Sequence, residues 1–274
     1  MTTPTPGAWI KPPALPMAWG VKRALTRPRR IIGDLMHFAK QVPSIPVQRR
    51  MRLDVLSLAR RGCVPRPRWV TLFASGFARL AAREPRLRQS YLKFPYPHLY
   101  EHPESIATIA VEREWRGEEA VFFGKLYAPD KQPIPLLDQH MNYYKEAPFE
   151  EVTEFWLPMF LARFWQPIRR LGWWWGLNVS GDTRGRVFGT FGVSVYSGLG
   201  AESFHPLSPL TSLLNFGQIE PNGEVDVRLI YDHRVLDGAY VARMLGRLEE
   251  ILNTEVATDL QALPTEQPSL RIAA

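Results

Sequence analysis

Leu229-Ile230-Tyr231-Asp232-His233-Arg234-Val235-Leu236-Asp237-Gly238 decides how the rest of the sequence is read. An apolar run stops at Asp232, and beyond Gly238 the period changes. Val241, Met244, Leu245, Leu248, Ile251 and Leu252 recur every three or four residues, the spacing of one helical face. A strand therefore ends on a short loop that opens a helix, with Asp237 able to cap the first turn. His233 sits at that junction on a rigid support. Taken alone, it is as readily an ordinary strand-end histidine as a base.

Working upstream, residues 224–231, 210–219 and 186–196 read as strands, the last carrying Gly189-Thr190-Phe191-Gly192-Val193-Ser194. Residues 106–112 and 120–127 form a hairpin around Arg116-Gly117-Glu118, and 129–135 reads as a loop. Residues 69–83 form an amphipathic helix that stops at Glu84-Pro85. Residues 45–55 alternate as a half-buried strand, with helices before (31–40) and after (56–61). Residues 1–28 hold six of the 25 prolines, together with Trp9 and Trp19, and read as an irregular arm. The expected organisation is one α+β domain over 29–253, with a C-terminal tail over 254–274.

Between 149 and 175 the chain is dense in aromatic residues. Trp156, Phe160, Phe164 and Leu171 mark one helical face, which Pro158 and Pro167 must kink or divide. Core or subunit interface is the simplest reading. Two others are carried forward: Trp156, Phe160, Phe164 and Trp165 line an apolar acceptor pocket, or Arg163, Arg169 and Arg170 hold the segment at an anionic membrane surface while tryptophans insert.

Lysine and arginine number 34 against 27 aspartates and glutamates, and the excess is mostly scattered arginine. That balance favours phosphate-bearing partners, among them coenzyme A, nucleic acid or an anionic membrane. No zinc-finger spacing or aromatic RNA-binding motif is present, so nucleic acid is not expected. Cys63 is the sole cysteine, which rules out an internal disulfide and suits a reducing compartment. His37, His98, His102 and His140 lack metal-ligand spacing, and His205 reads as a loop residue. Prolines interrupt the N-terminus where a signal peptide needs an apolar stretch, and no run approaches the roughly 20 apolar residues of a membrane span. The expected location is cytoplasmic, with peripheral contact at the inner face of the membrane as a variant.

His233, Asp237 and Gly238 spell H-x-x-x-D-G, and Gly189-Thr190-Phe191 with Ser194 spells G-T-F-x-x-S. In this order they resemble the signature of the chloramphenicol acetyltransferase and dihydrolipoamide acyltransferase superfamily. Arg29-Arg30-Ile31-Ile32, Ile45-Pro46 and Leu53-Asp54-Val55-Leu56 are similar to that domain's opening helix and strand. The resemblance implies a chloramphenicol acetyltransferase-like two-layer sandwich, a mixed sheet with helices packed on one face. It also implies acyl transfer from a coenzyme A thioester to a hydroxyl, amine or thiol acceptor, small or lipid-like, without a metal. His233 would be the general base and Ser194 the oxyanion donor, while Asp237 would form a buried ion pair with Arg29 or Arg30. Assembly would be a homotrimer, His233 of one chain facing Ser194 of the next. Two alternatives stand beside this: a non-catalytic trimeric scaffold, and the acyltransferase core of a 2-oxo acid dehydrogenase complex with its lipoyl domain on another chain.

Overall fold

The computed structural model describes residues 20–195 and 201–263. The arm's Trp9 and Trp19 and the tail over 264–274 lie outside the described residues. In chain order the elements are α1 (Arg27–Ala39), β1 (Ser44–Arg52), α2 (Asp54–Arg61), α3 (Trp69–Arg83), β2 (Gln89–Leu92), β3 (His98–Glu101), β4 (Ile106–Trp115) and β5 (Glu118–Tyr127). There follow α4 (Ile134–Glu146), α5 (Thr153–Leu161), α6 (Gln166–Asn178), α7 (Gly181–Phe188), β6 (Phe191–Ser194), β7 (Ser212–Phe216), β8 (Glu224–Asp232), α8 (Gly238–Ile251) and α9 (Ala257–Gln261).

Six strands form one sheet in the order β1-β8-β7-β6-β4-β5, and β2 and β3 make a separate antiparallel pair. The sheet is mixed: β6 runs parallel to both β4 and β7, and the other contacts are antiparallel. The period-2 alternation of each strand divides its side chains between two faces. One face carries Ile109, Phe191, Leu214, Val227, Leu229 and Met51 against the helices, all buried. There Phe73 of α3 stacks on Phe216 at 4.0 Å between ring centroids, and Phe77 meets Phe191 at 4.7 Å. Such pairs exceed simple area burial by about 0.5–1.5 kcal/mol each. The fold is the α+β two-layer sandwich anticipated from the sequence.

The hairpin joining β4 and β5 turns on Arg116 and Gly117, both at positive φ (53° and 80°), as a tight two-residue connection requires. Three expectations need correction. Residues from 134 onward form α4, because Ile134, Leu137, Met141 and Tyr144 fall on one buried face. The strand expected over 186–196 is confined to β6. Helix α7 runs to Phe188, and Gly189, at φ 84° with the Thr108 side chain where a Cβ would stand, breaks it abruptly. The expected tail from Thr254 instead continues α8 through a π-helical turn over Leu252–Val256 into α9, with Val256, Ala257 and Leu260 buried.

His102 is buried beneath α7, its Nε2 3.0 Å from Ser90 Oγ. Burial, reinforced by the nearby Arg184 charge, pushes its pKa down to about 4. The unfolded chain binds a proton near pH 6.5 that the folded chain refuses, so this group's stabilisation is full above about pH 6.5 and lost toward pH 4. Urea-unfolding free energy should therefore fall between pH 6.5 and 4, and His102→Gln should flatten that slope.

Candidate active site

The turn after β8 is built on a carboxylate. Asp232 is fully buried at the strand's end. Its Oδ1 accepts from the Arg234 backbone N–H at 3.0 Å, and the Arg234 guanidinium grips both oxygens, Nη2 to Oδ2 at 2.6 Å. Its backbone carbonyl accepts from Val235 and Leu236, closing the turn. Arg234 in turn lies over the Tyr91 ring at 4.2 Å. A second guanidinium, Arg184 of α7, is buried nearby and donates to the carbonyls of Tyr91, Leu177 and Pro209. Burial lowers its pKa to about 10, partly offset by the Asp232 charge, so it stays protonated at neutral pH.

Held this way, His233 donates its backbone N–H to Pro43 O at 3.1 Å, and its Nδ1 lies 3.0 Å from Leu236 O. A carbonyl oxygen can only accept, so Nδ1 carries the hydrogen and the Nε2 lone pair is left for a substrate. The side chain is 46% exposed in the single chain.

Asp237 departs from expectation. It is the residue before α8, but its side chain makes no capping hydrogen bond and is 70% exposed. It lies 3.5 Å from Arg86 and 3.9 Å from His233 Nδ1. The buried ion pair with Arg29 or Arg30 is not formed. Arg29 reaches Glu118 at 3.1 Å, and Arg30 donates to the carbonyls of Leu25 and Ala162. The buried acid in the opening helix is Asp34, paired with Arg169 at 2.7 Å. In the H-x-x-x-D-G turn it is Asp232, one residue ahead of the histidine.

Ser194 ends β6 on the sheet face away from the main helices, and its carbonyl accepts from Asn215 Nδ2 at 2.7 Å. Strand register extends the row to Arg228 and Gln48. Arg228 donates to Gln48 at 2.7 Å and to Glu202 at 2.9 Å, and stacks on Phe204 at 4.8 Å. The loop carrying Glu202 and Phe204 thus covers this polar row. His205, on the same loop, meets Ser44 Oγ at 2.9 Å.

Within one chain Ser194 and His233 are far apart. Ser194 is level with Asn215 and Arg228, whereas His233 lies five residues further along β8, toward the opposite edge. Five residues of strand rise and two inter-strand spacings make a separation on the order of 20 Å. No single chain can bring the two to one reacting carbon.

No protein-family model matches the chain, and no curated protein matches it in sequence. Solved structures do. The dihydrolipoamide acetyltransferase of Azotobacter vinelandii, whose serine, histidine and asparagine were investigated for their part in catalysis, aligns with a TM-score of 0.65 at 16% identity, over 90% of this chain and 98% of that one. The cubic core of a pyruvate dehydrogenase multienzyme complex aligns at 0.61 and 17%, over 90% and 98%. A truncated catalytic core of the 2-oxoacid dehydrogenase complex of Thermoplasma acidophilum aligns at 0.60 and 17%, over 87% and 99%.

The chain has the fold of a dihydrolipoamide acetyltransferase catalytic core. The agreement spans nearly the whole length of each of these cores.

Trp156, Phe160, Phe164 and Trp165 are all exposed, and the crevice nearest the His233 turn is lined instead by Gln41, Tyr91, Lys93, Asn178 and Arg234 among others. Arg169 is turned inward to Asp34 and Arg170 lies 3.6 Å from the same carboxylate, so neither serves as a free membrane-facing cation. Cys63 is buried, with its thiol pKa raised by burial. Among the described residues no group of three or more His, Cys, Asp and Glu could hold a metal, and no helix is long and apolar enough to cross a membrane. Sequence reasoning passed over Asp232, Arg184, Asn215 and Arg228. The one available signal was the acid directly before His233.

Removing one partner from a buried charge pair strands the other. Asp232→Ala should therefore cost about 3–5 kcal/mol of unfolding free energy, whereas Asp237→Ala, at an exposed pair, should cost within about 1 kcal/mol. Urea titration of both variants measures the contrast.

Proposed function

We propose that the protein is an acyltransferase that moves an acyl group from a coenzyme A thioester to a hydroxyl, amine or thiol acceptor. The observation that carries this is the His233 Nδ1 contact to Leu236 O at 3.0 Å, which leaves a positioned Nε2 as base on the fold of an acetyltransferase core. The crevice beside the turn supports the donor: it includes Lys93 and Arg234 and no acidic residue, a surface suited to an anionic, phosphate-bearing thioester.

In the reaction, His233 Nε2 takes the proton from the acceptor O–H, N–H or S–H as that atom attacks the thioester carbonyl. The tetrahedral oxyanion accepts a hydrogen bond from Ser194 Oγ, a contribution on the order of 3 kcal/mol in a water-poor site. Collapse breaks the carbon–sulfur bond, and the imidazolium returns its proton to the leaving thiolate. No acyl-enzyme is formed.

Because Ser194 and His233 of one chain stand on the order of 20 Å apart, each complete site requires two copies. A homotrimer with sites between neighbours fulfils that need. A second reading, favoured by the likeness to multienzyme cores, has a lipoyl thiol on another chain as the acyl carrier.

His233→Ala should lower turnover at least about a hundredfold, as loss of a positioned base does. Ser194→Ala should lower kcat more than it raises KM, since the hydroxyl is needed most as charge develops. Thiol release from acyl-coenzyme A donors measures both. The two inactive variants co-expressed in equal amounts should regain roughly a quarter of wild-type activity, the random share of interfaces that pair an intact His233 with an intact Ser194. Sites contained within one chain would regain none.

A further inference from the structure

Beyond Thr153 and Glu154 in its first turn, helix α5 is apolar on every side. Phe155, Met159 and Ala162 face inward and are buried, yet Trp156, Leu157, Phe160, Leu161 and Phe164 are exposed on the other side. A helix hydrophobic all round belongs in an interior or against lipid, and monomers seldom leave a large contiguous apolar patch uncovered. The exposed rings are continuous. Trp156 meets Phe160 and Phe160 meets Phe164 edge-on, with centroids 6.2 and 5.8 Å apart. Helix α6 extends the surface with Ile168, Leu171 and Trp175, at i, i+3 and i+7, and Trp165 at the intervening turn is 71% exposed.

The charge around this face is mostly basic, although Glu154 stands in the first turn of α5, Glu118 pairs with Arg29, and Asp34 takes Arg169 and Arg170. Residues 155–181 contain no aspartate or glutamate, and neither do residues 1–33, which carry Lys11, Lys22, Arg23, Arg27, Arg29 and Arg30. The fold brings the two stretches together. The Arg30 guanidinium donates to Leu25 O at 3.1 Å and to Ala162 O at 3.4 Å, so the segment ahead of α1 lies beside the C-terminal end of α5. That segment exposes Val21 and Leu25 and the cations Lys22 and Arg23. Arg163 is exposed at the same end of α5, 5.8 Å from the Phe160 ring.

We propose that the α5–α6 face, together with the basic segment ahead of α1, docks the protein on an anionic lipid bilayer. The aromatic ladder enters the boundary between headgroups and acyl chains, while Lys22, Arg23 and Arg163 meet lipid phosphates at its rim. Aromatic residues with a polar edge suit that depth, and the long cationic side chains can extend their charge back to the headgroups. Complementarity of charge selects this occupant, since a purely apolar partner would have no use for the exposed cations Lys22, Arg23 and Arg163 at its rim.

The test is co-sedimentation of the full chain with vesicles of phosphatidylcholine, alone or mixed with phosphatidylglycerol, with light scattering run in parallel. The protein should sediment with the mixed vesicles only, with a blue shift of tryptophan emission and weaker binding as salt rises. The doubles Phe164→Glu with Trp165→Glu, and Lys22→Glu with Arg23→Glu, should each lower binding roughly tenfold with thermal unfolding unchanged. Absence of binding, or equal binding to both vesicle types, would overturn the proposal. So would a fall in oligomeric mass for the aromatic double, which would make the face a contact between copies. No thioester enters the assay, so its outcome is independent of the role of His233.

Discussion

The fully buried carboxylate of Asp232 is the constraint on which the geometry of the His233 turn depends. A bare carboxylate in a protein interior costs several kcal/mol, and it persists only where cations and hydrogen bonds surround it. Here Arg234 grips it directly and Arg184 supplies a second charge from α7. Those arginines are committed elsewhere too: Arg184 to Tyr91 O, Leu177 O and Pro209 O, Arg234 to the Tyr91 ring. One acid thereby ties the end of β8 to β2, α6 and the approach to β7. The His233 main chain is fixed in the same knot through Pro43.

That rigidity matters because a general base works only when its lone pair is aimed. The contact from Nδ1 to Leu236 O fixes ring orientation and tautomer together. Asp237, the acid in the recognisable motif, lies too far into solvent to do the same work. In this chain the buried acid beside His233 is Asp232, not Asp237.

Sheet topology then sets the placement of the two candidate groups. Since β7 is parallel to β6 but antiparallel to β8, the C-terminal ends of β6 and β8 point to opposite edges of the sheet. Ser194 and His233 each end one of those strands. If the two act on one substrate, as proposed, a second copy supplies the missing half. The polar row beside Ser194, with Asn215 and Arg228 buried in it, stiffens the serine end as the Asp232 cluster stiffens the histidine end.

Much of this was legible in the sequence because local pattern controls it. The switch from a strand to a 3.6-residue period at Gly238, the helix over Trp69–Arg83 and the hairpin at Arg116-Gly117 follow from side-chain spacing and backbone preference. The fold class was legible too, through the resemblance that two short motifs in fixed order carry. The partners of Asp232, Arg29 and Arg169 were not legible, for ion pairing joins residues between 2 and 135 positions apart and depends on which faces the packed elements present. The outward turn of Trp156, Phe160 and Phe164 was equally hidden, because a helix apolar on all sides has no period to say which face is buried. The sequence by itself determined most of the elements and their order, and it marked His233 and Ser194 as candidates for the chemistry. Only the tertiary structure decided which acid is buried, which aromatic residues meet solvent, and that serine and histidine lie at opposite edges of one sheet, since each follows from the register and packing of segments distant in the chain.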